Sequence, residues 1–220
     1  MKNLVTLIFI GVYFLSFATD PKIANNLNTA ENVSYLSPFE KEIIYEINLF
    51  RSNPAEYSEK YIAPLSKLYK GKLLYYPNDK PLLTKEGVRA LNECVRELKK
   101  VAPLSILFPS QGLTKAADDH VKDQSKTGKT GHFGSDRSDS RKRMERYGEW
   151  KVRIAENIAY GGISARQVII YLLIDDGVQD RGHRKNFIRP EFKNIGVSVG
   201  NHPEYNTMCV MDFAGSFVDK

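Results

Sequence analysis

A chain of 220 residues, 42 % hydrophobic and 26 % charged, can bury the core of one ordinary domain and is neither disordered nor fibrous in composition. Its formal net charge of +6 suits an anionic partner, but with no nucleic-acid-binding motif beside it the excess is too small to argue for DNA or RNA. Two cysteines, Cys94 and Cys209, exclude a scaffold built on disulfides; they leave one bridge or two buried thiols, and spacing alone does not choose between these.

The N-terminus reads as an export signal over residues 1–18. Lys2 supplies the positive charge, Leu4 to Phe17 is almost continuously apolar, and Ser16-Phe17-Ala18 predicts cleavage after Ala18. A membrane anchor is the competing reading, although the run is short for a span. No later run is long and apolar enough to cross a bilayer once the signal is removed, which points to a secreted, extracellular protein. Residues 19–36 read as a linker or N-terminal arm, with a glycosylation sequon at Asn32-Val33-Ser34.

Ser37-Pro38-Phe39-Glu40 predicts a helix start with a capping box, and Phe39, Ile43, Ile47 and Phe50 form its apolar stripe. Asn53-Pro54 ends it. Residues 55–83, punctuated by prolines, read as irregular chain with a short helix near Glu56 to Ile62. A second helix is expected over Thr84 to Val101. A third runs from Leu113 to Thr127 and stops at Gly128; Leu113, Ala116, Ala117, His120, Val121 and Gln124 share its apolar face, so His120 reads as a hydrogen-bonded core residue. The stretch Thr130 to Trp150 mixes Arg137, Arg141, Lys142, Arg143 and Arg146 with four acids, the pattern of a solvated helix face. Trp150 reads as packed.

Ile154 to Tyr160 is expected as a strand, and Ser164 to Asp176 as the fourth helix. Val168, Tyr171, Leu172 and Asp175 fall on one helical face. A carboxylate there, at a helix C-terminus, needs a cationic partner. Asn194 to Gly200 and Thr207 to Phe217 alternate as two strands of an antiparallel pair, with Met208, Val210 and Asp212 on one face of the second. Helices first and strands late make this an α+β domain.

Metalloprotease, nucleotide-loop, paired Cys-x-x-Cys and Gly-x-Ser-x-Gly motifs are absent. Ser135 lies close to His132, but nothing around it signals a base or an oxyanion hole. What remains is Gly131-His132-Phe133-Gly134-Ser135-Asp136, Arg143 to Trp150, Glu156-Asn157-Ile158-Ala159, and Gly182 to Val197. In this order the segments resemble the CAP superfamily, which includes cysteine-rich secretory proteins, venom antigens and plant pathogenesis-related proteins. The resemblance covers about residues 37 to 217, and Ile174 to Gly177 is similar to a subgroup from bacteria and protists.

The resemblance implies a CAP (SCP-like) domain over 37–220 with an insertion around 55–110. It implies a three-layer α-β-α sandwich, its central, mostly antiparallel sheet flanked by helices, with a cleft lined by two histidines and two acids. Carried over by motif, these are His132, Glu156 and His183. The fourth, usually glutamate after a tryptophan-tyrosine pair, falls on Asp175, with Asp176 as the alternative.

In chemical terms, His132 and His183 are candidate ligands for zinc or another divalent metal, with the acids as further ligands or orienting partners; no other cofactor is implied. Without a metal, each carboxylate could instead hydrogen-bond a histidine and raise its pKa, or the four could simply organise the cleft. Arg184 and Lys185 could favour an anionic ligand. Asn157 and Asn186 suit loop-tying hydrogen bonds, and Gly161, Gly162 and Gly196 are backbone-permissive positions.

The resulting functional expectation is a secreted protein that binds a ligand or partner through the cleft or surface: an extracellular protein, a lipid or a small molecule. A metal-dependent, peptidase-like hydrolase with Glu156 as the candidate base is the alternative. A sterol or lipid carrier using the apolar space of the insertion is a further one.

Overall fold

The computed structural model describes residues 27–220. The expected signal peptide and residues 19–26 of the arm lie outside the described residues.

Helix α1 (Pro38–Ser52) begins as its sequence dictates. Glu40 N–H donates to Ser37 Oγ at 3.3 Å, and Ser37 N–H donates to Glu40 Oε2 at 2.7 Å, which closes the capping box. Ile43, Ile47 and Phe50 are fully buried, and Phe39 packs at the margin of the same cluster. Beyond it the chain stays helical longer than expected: α2 (Pro54–Tyr57) passes into a π-turn at Ser58–Ile62 and a 3₁₀ segment at Ala63–Leu68.

The expected irregular stretch then contains a small antiparallel sheet. Strands β1 (Tyr69–Lys70), β2 (Leu73–Leu74) and β3 (Leu82–Leu83) pair in that order. Two-residue strands are too short to show an alternation, which is why periodicity missed them. Helix α3 (Val88–Leu98) is shorter than expected at both ends. Thr84 donates its hydroxyl to Lys72 O instead of capping a helix, and Gly87, at φ 64°, makes the entry.

Strand β4 (Phe108–Pro109) leads into helix α4 (Gln111–Thr127), capped by Ser110 and stopped by Gly128 at φ 65°. All six residues of its predicted apolar face are buried. Helix α5 (Ser140–Tyr147), strand β5 (Gly148–Tyr160), helix α6 (Ala165–Ile174) and helix α7 (Gly182–Phe187) follow. Strands β6 (Asn194–His202) and β7 (Asn206–Asp219) close the chain as the expected antiparallel hairpin.

The main sheet has the order β4-β6-β7-β5, and only the β4–β6 pair is parallel. Strand β5 is therefore an edge. Side-chain alternation assigns the two faces. Ile158, Met208 and Val210 pack with Ala117 and Val121 of α4, and Ala214 packs with Leu113 and with Met144 of α5. Cys209, Met211 and Phe213 face the opposite layer of α1, α3 and α6. The domain is a three-layer α-β-α sandwich of the α+β class. Gly196 matters here for close approach and not for its φ angle: a Cβ would lie 2.1 Å from the carbonyl carbon of Leu113.

Cys94 and Cys209 are both buried free thiols. Burial pushes Cys94 up to about 12 and Cys209 further still. A thiol reagent is expected to leave both untouched in the folded protein and to titrate two thiols after unfolding without reductant. Fewer than two in the unfolded chain would mean a disulfide.

Candidate functional site

Strand β5 carries an acid inside the sandwich. Glu156 has a side chain only 2 % exposed, and such a carboxylate must be paired. Its Oε2 accepts from Arg143 Nη2 at 2.5 Å, and its Oε1 lies 2.8 Å from His132 Nδ1. Arg143 is equally buried. Its Nη1 also donates to His132 O at 3.2 Å and Ser138 O at 3.0 Å, so one guanidinium fixes both the acid and the loop that presents His132.

This corrects the sequence reading, which placed Arg143 on a solvated helix face. Helix α5 is short, and only Arg143 and Met144 of it are buried. Mixed charge described its other residues and concealed this one. The available signal was its place in the segment Arg143 to Trp150.

The second pair forms at the end of α6. Asp175 is the C-cap residue, at φ 56°, and this left-handed turn swings its carboxylate away from the C-terminus of α6. Its Oδ1 lies 2.6 Å from His183 Nδ1, and its Oδ2 accepts from His183 N–H at 2.9 Å and Arg184 N–H at 3.4 Å. The carboxylate thus sits at the start of α7, where free amides and dipole favour it. Asp176, the alternative, instead accepts from the backbone N–H groups of Lys85 and Glu86 at 2.5 and 2.8 Å.

The four residues come together as two pairs and not as one contact set. Among the described residues no hydrogen bond joins one pair to the other. Asn157 Nδ2 donates to His183 O at 3.1 Å, and Asn186 Nδ2 donates to Asn157 Oδ1 at 2.8 Å, the loop-tying role expected of both. Neighbours on a strand point to opposite faces. The Asn157 side chain that holds His183 O therefore leaves β5 on the face opposite Glu156. The His132 side chain is 51 % exposed and that of His183 is 23 % exposed.

Each Nδ1 is committed to a carboxylate, which leaves two Nε2 atoms for a cation. No group of three or more His, Cys, Asp or Glu side chains able to hold a metal occurs among the described residues. The donor set does not fit a structural or catalytic zinc site, which needs at least three protein ligands.

Other candidates are engaged elsewhere. Arg184 is fully buried; it donates to Leu173 O, Ile174 O, Glu93 and Glu97. It is structural, a second correction, and only Lys185 of that pair is exposed. Ser135 Oγ donates to Asp123 Oδ1 and has no histidine partner. His120 is a core residue bonded through Nε2 to Gly131 O at 2.8 Å. Trp150 is half-buried and donates Nε1–H to Glu145.

Asp212 was not singled out. It pairs across the sheet with Glu156 and is fully buried, with no donor to either oxygen. Burial first, and the charge of Glu156 second, hold its pKa well above the ordinary 3.8; the neutral acid donating to Glu156 accounts for both facts. The signal was one acid in the alternation Met208, Val210, Asp212.

Beside the His183 pair lies a pocket of about 290 Å³. Tyr69, Leu74 and Leu83 of the small sheet form one wall, Val168 and Tyr171 of α6 another, and His183 with Asp175 one boundary. It does not reach His132 or Glu156.

Residues 88–213 match the model of the cysteine-rich secretory protein (CAP) family. No curated protein matches the chain. Among solved structures, an extracellular protein containing an SCP domain from Bacillus anthracis is 22 % identical, with a TM-score of 0.41, over 50 % of this chain and 34 % of that one. An outer surface protein of Borrelia burgdorferi is 18 % identical, with a TM-score of 0.43, over 50 % and 78 %. A cysteine-rich secretory protein of Staphylococcus aureus is 16 % identical, with a TM-score of 0.37, over 63 % and 42 %. The chain thus spans about a third of the Bacillus anthracis chain.

Replacing Arg143 by Met strands the Glu156 charge, and a loss of about 3–5 kcal/mol in urea unfolding is expected; adding Glu156→Gln should restore much of it, and simple additivity would contradict the pairing. Because the folded Asp212 holds its proton more tightly than the unfolded chain does, its contribution to stability falls as pH rises above 3.8. Asp212→Asn should therefore be more stable than wild type at pH 7, and the difference should shrink towards pH 4. A difference independent of pH would show that Asp212 is ionised.

Proposed function

The chain belongs to the cysteine-rich secretory protein (CAP) family, and from that premise we propose that it is a secreted protein that acts by binding, holding a small, mostly apolar ligand beside His183. The observation that carries this reading is the pocket itself. At about 290 Å³ it approaches the size of small-molecule sites, and an apolar lining with a few polar groups at one boundary is their usual make-up. No helix among the described residues is long and apolar enough to cross a membrane, and the expected signal peptide at 1–18 supports export.

The arrangement favours binding over hydrolysis. Glu156, the candidate base, has one oxygen on a buried guanidinium and the other on His132, and it does not line the pocket, so it is placed to hold its neighbours and not to meet a substrate there. With two imidazole Nε2 atoms and no third donor, a divalent metal would be bound weakly if at all. The insertion does supply apolar space, as the carrier alternative requires, but this pocket is too small to enclose a sterol.

Native mass spectrometry of protein recovered from the medium of the producing cells tests the reading. A small organic adduct is expected, lost in Val168→Phe, which fills the pocket, with the fold of that variant checked by thermal melting. A stoichiometric zinc mass lost in His132→Ala plus His183→Ala would replace this reading with the metal one.

A further inference from the structure

The small sheet β1–β3 has two faces, and only one of them belongs to the pocket. Its register puts Tyr69, Leu74 and Leu82 in one cross-strand row and Lys70, Leu73 and Leu83 in the other, and the two rows point to opposite faces. All three members of the first row line the pocket. The second row is the outer face. Leu83 is 72 % exposed there and Leu73 is half-buried. Tyr75, two residues on from Leu73, is 39 % exposed, with the Lys70 ammonium 5.3 Å from the centre of its ring. Leu83 also reaches the rim of the pocket.

Lysines frame this apolar row. Lys70 lies in β1, Lys72 in the turn to β2, and Lys80 and Lys85 on either side of β3. All four are exposed, and among the described residues no ion pair holds any of them. The one acid between residues 69 and 85 is Asp79, whose carboxylate accepts from Lys80 N–H at 2.7 Å and from Gln167 Nε2 at 2.6 Å. Asp176 and Glu86, which meet the end of this segment, are taken by backbone amides and by Arg181. A run of lysines alone is usually a solvated face. Here the lysines surround an exposed leucine and tyrosine, and that combination suits a lipid surface: apolar side chains enter the interface while ammonium groups meet the head-group phosphates. A protein partner fits less well, because lysine is depleted in protein interfaces and leucine is seldom an anchor there. A second copy of the chain would set four lysines against four.

We propose that the outer face of β1–β3 docks on a membrane surface rich in anionic lipid, with Leu83 and Tyr75 entering the interface and Lys70, Lys72, Lys80 and Lys85 meeting the lipid phosphates. This goes beyond ligand binding beside His183 and does not depend on it. Docking in this way sets the rim of the pocket against the bilayer, because Leu83 belongs to both.

Co-sedimentation with vesicles tests the proposal, using protein recovered from the medium and vesicles of phosphatidylcholine alone or with about one third phosphatidylglycerol. A lysine near an anionic surface strengthens binding about fivefold, so the mixed vesicles should be bound on the order of a hundredfold more tightly. Raising the salt from about 0.1 M to about 1 M shortens the screening length from about 10 Å to about 3 Å and should remove most of that preference. Lys70→Gln plus Lys72→Gln should weaken binding to the mixed vesicles about twentyfold. Leu83→Ser should weaken binding to both kinds about tenfold. These variants change exposed side chains, so their melting temperatures should match that of wild type. Val168→Phe, which fills the pocket, should bind vesicles as wild type does. An absent organic adduct with vesicle binding intact would overturn the pocket reading and leave the docking face standing. Equal binding to the two kinds of vesicle, or lysine and leucine variants that bind as wild type does, overturns the docking proposal. Binding to neither kind overturns it too, and a dimer that Leu83→Ser dissociates would then identify a second copy as the occupant.

Discussion

A carboxylate removed from water has to be neutralised by a proton or a cation, and this chain removes three of them at or beside the edge of one sheet. Glu156, Asp175 and Asp212 are almost completely buried. Each is matched differently. Glu156 takes the Arg143 guanidinium and an imidazole, Asp175 takes an imidazole and the first amides of α7, and Asp212 keeps its proton. These solutions set the geometry of the site. Arg143 draws α5 and the His132 loop onto β5, and Asp175 joins α6 to α7. The two histidines are placed by buried acids, each held through Nδ1.

A second charged network holds the pocket wall. Arg181 bonds Glu86 at 2.6 Å and Glu93 at 2.8 Å, and the buried Arg184 bonds Glu97 at 2.5 Å and Glu93 at 3.1 Å. The arginines hold Glu86 and Glu93 down to about 2, below the usual carboxylate range. These bonds clamp α3 to the turn and helix that carry His183. Gly177 N–H on Glu86, and Asp176 on the amides of Lys85 and Glu86, add the strand that leads into α3. Residues 85–97 are therefore fixed against the turn after α6 and against α7 at several points, and the small sheet β1–β3 forms one side of the pocket.

Much of this was legible in the sequence, where a local rule had no competitor. Ser37 and Glu40 announced α1, Gly128 ended α4, and the six-residue face of α4 was complete. The late hairpin followed from simple alternation, and the family motifs pointed to His132, Glu156 and His183, while the fourth position stood between Asp175 and Asp176. Long-range matching of charge was not legible. Arg143 looks like its exposed neighbours because the acid that claims it lies 13 residues away, and Arg184 looks like Lys185 because Glu93 and Glu97 are about 90 residues away. Two-residue strands carry no period to detect. The need of Asp175 for a cation was legible; its left-handed turn onto α7 was not.

On the proposed reading, the space between the small sheet and α6 holds the ligand, the His183–Asp175 pair bounds it, and the His132–Glu156 pair lies outside it. A crystal structure of the protein taken directly from the medium of the cells that make it tests this most directly. Elongated density in the pocket is expected, with His132 and His183 each still held through Nδ1. Density for an ion shared by the two Nε2 atoms, with ordered water alone in the pocket, would contradict it.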